Sequence, residues 1–182
     1  MKTQHARNWT QAGLSSPSRL NRHTWVALIV WLSISGVAPA ADIAWTNTAG
    51  GNWSAPANWS PNQAPGPADN AYITNAGTYT VTVSADAGVN TLTLGGPTGT
   101  QTLNLSGGTF TLSGPGSGNA QAALTVSGGT LAGSGLLALA GPLNWTGGTI
   151  SGRVQCHGGL LSTSPSGGHL YLSGGQLINT GA

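Results

Sequence analysis

The feature that most constrains this chain is a recurring pair of glycines. The strings "SGGTF", "SGGTL", "TGGTI" and "SGGHL" place their first glycines at Gly107, Gly128, Gly147 and Gly167, spaced by 21, 19 and 20 residues. A second series, Gly95, Gly158 and Gly174, falls between or after them. Between these corners run short alternating segments: "TYTVTV" from Thr78, "TLTL" from Thr91, "LNL" from Leu103, "TFTL" from Thr109, "LTV" from Leu124 and "HLYL" from His169. Apolar residues alternating with Thr, Asn or His are the period-two signature of half-buried strands. No window keeps helical spacing, because Gly and Pro interrupt every candidate. Short strands and glycine turns at a period near 20 residues predict a solenoid, each coil adding two or three strands to parallel sheets stacked at about 4.8 Å. From Tyr72 onward there is room for five or six coils. Leu, Val, Ile and the lone Phe110 would form inward ladders. Thr and Ser would face water, and Asn104, Asn144 and Asn179 would be turn or ladder asparagines. Glycine would supply the corners with φ above zero. A disordered Gly/Ser segment would not require this alternation. An antiparallel sandwich would call for Asn-Gly or Asp-Gly hairpins, which the repeats lack.

The first forty residues differ in kind. Lys2, Arg7, Arg19 and Arg22 precede the apolar run "WVALIVWLSISGV", Trp25 to Val37, and then "APAAD". This order predicts a secretory signal-peptide helix over residues 1–40, cleaved between Ala40 and Ala41. This run of thirteen residues falls short of the roughly 20 of a spanning helix, so membrane contact is expected only through this segment. The net charge of +2 therefore belongs to the precursor. From Ala41 on, the charged residues are Asp42, Asp69, Asp86 and Arg153. So few cations exclude nucleic acid as a partner, since its affinity rests on Lys and Arg neutralising phosphates. They equally exclude a polybasic membrane patch. One cysteine, Cys156, rules out an internal disulfide framework.

Residues 41–71 carry a tryptophan cluster. "GGNWSAPANWSP" holds Trp53 and Trp59 in two Asn-Trp-Ser triplets, with Trp45 upstream; only Trp145 follows. Two readings compete. An open solenoid exposes strand edges and a raw core at its ends, and terminal caps cover them; a Trp-rich wrap would bury about 150–250 Å² per indole. Alternatively Trp45, Trp53 and Trp59 form a carbohydrate-stacking row, with Asn52, Asn58, Asn62 and Gln63 bonding sugar hydroxyls. The burial expected of a cap puts Tyr72, Ile73, Tyr79, Val81 and Val83 against the rings. The Asn-x-Ser triplets read as turn chemistry, side chains bonding their own backbone.

The pattern from Trp45 through Gly50, Gly51, Asn52, Trp53, Ala57, Asn58, Trp59, Pro65, Asp69 and Ile73, followed by "GTYTVTV" and the GGT repeats, resembles the N-terminal part of large bacterial secreted β-helix proteins of the filamentous-haemagglutinin and autotransporter-passenger type. It spans residues 44 to 182. The resemblance implies an all-β, right-handed parallel β-helix of the pectin-lyase-like kind, with its cap at 41–71 and its repeats at 72–182. It further implies an extracellular or outer-surface protein, structural or adhesive, whose partners are polysaccharides or surface glycans. Such proteins are typically longer, so the chain reads as a piece of a longer β-helix.

No enzyme is expected. Glycosidases commonly set two carboxyl groups about 5–9.5 Å apart, and only three Asp are available. β-helix lyases combine a basic catalyst with an acidic calcium cluster, whereas Arg153 is the one base after the leader. No G-x-S-x-G elbow occurs. Cys156, His157 and His169 fall short of a closed tetrahedral metal set. No catalytic residue, cofactor or metal site is therefore expected. The alternative function is a carbohydrate-binding module, or the N-terminal fragment of a polysaccharide-active β-helix enzyme. The leader reading predicts that mass spectrometry of exported protein finds an N-terminus at Ala41 and no peptide containing Trp25.

Overall fold

The computed structural model describes residues 39–162 and 171–181. The leader and His169 lie outside that range. The described chain is a parallel β-solenoid of about five turns. A partial coil opens it: β1 (Asp42–Trp45), β2 (Gly51–Asn52), a 3-10 turn at Pro56–Asn58 and β3 (Trp59–Ser60). Full coils follow as β4 (Asn70–Ile73), β5 (Tyr79–Val83) and β6 (Ala87–Val89), then β7 (Thr91–Leu94), β8 (Gln101–Leu105) and β9 (Thr109–Leu112). The next are β10 (Gly116–Gly118), β11 (Ala122–Val126) and β12 (Thr130–Ala132), then β13 (Leu136–Leu139), β14 (Leu143–Trp145) and β15 (Thr149–Ile150). β16 (Arg153–Cys156), β17 (Leu160–Ser162), β18 (Tyr171–Leu172) and β19 (Gln176–Asn179) complete the described chain.

Each coil contributes one strand to each of three sheets. Sheet A runs β19-β16-β13-β10-β7-β4-β1-β3, sheet B β17-β14-β11-β8-β5-β2 and sheet C β18-β15-β12-β9-β6. All neighbours are parallel except β1 and β3. Sheets A and B both reach back into the tryptophan segment, because β1 pairs with β4 and β2 with β5. That segment is itself a partial coil. Parallel-paired residues lie from 17 positions apart (Leu137 with Val154) to 30 (Gly51 with Val81). The period near 20 is thus an average over unequal loops.

Register stacks like on like. Val81, Leu103, Leu124 and Leu143 stand above one another in sheet B, and Phe110, Leu131 and Ile150 in sheet C. All seven are fully buried. One expectation fails here. Tyr72 lies outside the core, because alternation along β4 buries Ala71 and Ile73 and turns Tyr72 outward. Its hydroxyl donates to Asp42 Oδ1 at 3.3 Å, and the Asp42 charge raises its pKa.

Two glycines show why the composition is what it is. At the corner before β15, a Cβ on Gly147 would lie 2.5 Å from the Ser127 carbonyl oxygen of the previous coil. Coil corners therefore stack at backbone contact. In β10, Gly116 occupies an inward position, and a Cβ there would lie 2.7 Å from Leu137 Cδ1 and 2.9 Å from Leu112 Cδ2. The leucines of neighbouring strands fill the space that glycine vacates. Gly116→Val should overpack this layer and cost about 1–3 kcal/mol, read as a lower denaturation midpoint. Ser117→Val, on the exposed face of the same strand, should leave the midpoint within about 0.5 kcal/mol.

Candidate functional site: the tryptophan plug

Among the described residues no coil precedes the first one to satisfy its edge. In sheet A, β3 supplies a short substitute by pairing antiparallel with β1, Trp45 opposite Trp59. The Thr46 amide continues the ladder to the Asn58 carbonyl at 2.8 Å. In sheet B no strand precedes β2 among the described residues, and side-chain amides stand at its edge. Asn58 Nδ2 donates to the Asn52 carbonyl at 3.0 Å, and Asn47 Nδ2 donates to the Gly50 carbonyl at 2.7 Å. The two amides are joined by Asn47 Nδ2 donating to Asn58 Oδ1 at 2.9 Å. Asn47 Oδ1 also accepts from the Ala49 amide. These asparagines pair edge carbonyls that are exposed or part-buried, without adding a strand that could recruit another chain.

The indoles close the core beneath this frame. Trp45, Trp53 and Trp59 retain 1%, 2% and 1% exposure. Trp59 meets Trp45 edge-on at 5.0 Å between ring centres and Trp53 at 4.7 Å, and Trp53 meets Phe110 at 5.1 Å. The ring contact to Phe110 reaches past β6 into the second full coil. The residue paired with Phe110 in β6 is Ala87, whose small side chain leaves room for it. Ile73, Tyr79, Val81 and Val83 belong to the same buried cluster. Two of the three indole N–H groups are satisfied: Trp45 Nε1 donates to the Asn47 carbonyl and Trp59 Nε1 to that of Trp53 at 2.7 Å. Trp53 Nε1 and Trp145 Nε1 find no partner among the described residues. At these exposures the rings offer no face on which a sugar could stack.

The remaining candidates separate. Asn52 is exposed, its Oδ1 accepting from Ser84 Oγ at 3.2 Å, whereas Asn58 is committed to the frame. Asn62 and Gln63 are exposed in the loop before β4. Asp69 fastens the first strand, its Oδ1 accepting from the Ala41 amide at 3.0 Å and its Oδ2 from the Gly66 amide at 2.8 Å. Cys156 is fully buried, and burial pushes its thiol pKa up. His157, the next residue, lies exposed with Nδ1 2.6 Å from Thr180 Oγ1. No group of three or more His, Cys, Asp or Glu poised for a metal occurs among the described residues. Arg153 Nε donates to Gln176 Oε1 at 3.3 Å on the outer face.

Sequence reasoning missed Gln101, the buried polar side chain in the core. Its Oε1 accepts from the Gly96 amide at 2.5 Å, and its Nε2 donates to the carbonyls of Gly77 and Thr98. It pins the loop between β7 and β8. The signal lay in "QTLNL", where alternation aligns Gln101 with Leu103 and Leu105.

Fold and plug define the class: a parallel β-solenoid closed at its N-terminal end by aromatic rings and asparagine amides. Comparison with family models, curated proteins and solved structures returns no match.

Two outcomes follow. Trp53→Ala and Trp59→Ala should each cost about 3–5 kcal/mol, the range for deleting a buried large aromatic. Trp59→Phe should cost about 1 kcal/mol more than Trp53→Phe, since only the first loses an indole hydrogen bond. Thermal or urea melts check both. A buried, protonated thiol reacts slowly, so Cys156 should resist a disulfide reagent in the native protein and react promptly in denaturant.

Proposed function

We propose that this chain is a non-catalytic structural or adhesive module of an exported bacterial surface protein, built as a right-handed parallel β-helix. The observation that carries the reading is the register of its outward polar residues. Thr82, Asn104, Thr125 and Asn144 stand on successive coils of sheet B, and Thr109, Thr130 and Thr149 on successive coils of sheet C. Such rows repeat hydroxyl and amide groups at about the strand spacing of 4.8 Å. They suit contact with polysaccharides or surface glycans, which present hydroxyls and little charge. The right-handed coil follows the general preference of parallel crossovers. The extracellular placement rests on the leader at residues 1–40 and on the near-absence of charge after it.

The test coats beads with the exported form and measures their retention under flow on cellulose, xylan, chitin, pectin and mucin surfaces. Retention on at least one surface, reduced when Thr109, Thr130 and Thr149 are together changed to Val, is the expected result. Retention on none, or release of reducing ends or unsaturated sugars from any of these polysaccharides, would overturn the proposal.

A further inference from the structure

We infer that a groove beside the first full coil is a binding site for a neutral oligosaccharide. This deepens the adhesive reading, and in naming glycans as ligands it rests on it. The groove is wide open to solvent, offers about 500 Å³ and is lined by Pro65, Pro67, Asp86, Gly88, Thr109 and Thr111, among others. That size lies within the roughly 300–1,000 Å³ of ligand pockets.

The loop between β3 and β4 makes one wall. It brings Pro65 and Pro67 beside β6 and β9 in sheet C. Gly88 pairs with Thr111 across those strands. A Cβ on Gly88 would lie 3.4 Å from the Thr111 carbonyl oxygen and 3.7 Å from Pro67 Cγ. Glycine therefore keeps open a place that any side chain would fill.

Asp86 is the second element. The other two carboxylates of the described chain are engaged with the opening strand: Asp69 uses both oxygens on backbone amides, and Asp42 Oδ1 accepts from Asn70 Nδ2 and the Tyr72 hydroxyl. Asp86 Oδ1 accepts from the Thr109 amide at 2.8 Å, which fixes the carboxylate. Its Oδ2 has no hydrogen bond among the described residues, and the side chain is exposed at the groove.

These parts match a sugar. The exposed Pro67 ring offers apolar surface for the C–H face of a pyranose, with the buried Pro65 behind it. A fixed carboxylate accepts from sugar hydroxyls in charge-assisted bonds, which are stronger than neutral ones. The Thr109 and Thr111 hydroxyls can donate or accept. A cationic peptide would use the carboxylate but not the paired threonines, so the neutral glycan is the better fit.

The test uses the exported form labelled with nitrogen-15 and titrated separately with maltohexaose, cellohexaose, xylohexaose and chitohexaose, with hexalysine as control. At least one neutral hexasaccharide should produce saturable shifts at the Gly88, Thr109 and Thr111 amides. Asp86→Asn keeps an acceptor for the Thr109 amide and should weaken that binding at least about tenfold. Gly88→Ala, which fills the floor, should weaken it as well. Three results would each overturn the inference: no saturable shift at these amides with any sugar, an affinity unchanged in both variants, or shifts with hexalysine alone. Bead retention without a groove response would sink this inference and leave the adhesive reading standing.

Discussion

Everything in this structure depends on backbone hydrogen bonding along the solenoid axis. Each strand finds its partners in the coil before and the coil after, about 20 residues away in sequence, rather than across a hairpin. An interior coil is satisfied on both sides. The first coil has no described coil before it, and an open strand edge is a template for pairing with another chain. The chain solves this with two devices in one 20-residue stretch. A two-residue antiparallel strand covers sheet A, and the Asn47 and Asn58 amides cover sheet B. Three indoles then seal the apolar interior that these polar groups surround. Burying 150–250 Å² per indole contributes about 4–6 kcal/mol each before ordering costs. In both Asn-Trp-Ser triplets the Trp closes the core, but only Asn58 serves the edge with its amide; the Asn52 side chain accepts from Ser84.

Packing inside the stack works by compensation between coils. Glycine at 116 admits Leu112 and Leu137, and Ala87 sits where Phe110 needs room to reach Trp53. Side-chain volume is therefore conserved along a ladder rather than at a single position. Gln101 breaks the apolar rule and stays satisfied, because its amide binds two backbone groups of the adjoining loop, at Gly96 and Thr98, and the Gly77 carbonyl of the coil before.

Much of the architecture was legible in the sequence. Alternation named the inward residues of β5, β7, β8 and β9, and glycine pairs marked the corners. The same alternation, applied to β4, places Tyr72 outside, because Tyr72 and Ile73 are adjacent and only one of them can face inward. What was not legible is register. Coils vary from 17 to 30 residues between paired positions, so no average period reveals that Phe110 touches Trp53. The edge-pairing role of Asn58 was hidden for the same reason, since an asparagine beside a tryptophan reads equally as a ligand. The groove at Asp86 escaped notice because its wall comes from a loop whose course only the folded chain sets.

The central claim is that the plug makes the first coil as firmly held as those behind it. Native-state hydrogen exchange tests this directly. The amides of Thr46, Trp53 and Asn70 donate to Asn58, Thr82 and Ala41, while that of Ser127, in the middle of the stack, donates to Leu105. If the plug completes the coil, the first three amides should be protected to within about an order of magnitude of Ser127, opening only with the core. Exchange of Thr46, Trp53 and Asn70 near the rate of an unstructured peptide, with Ser127 still protected, would show a frayed end and contradict the account.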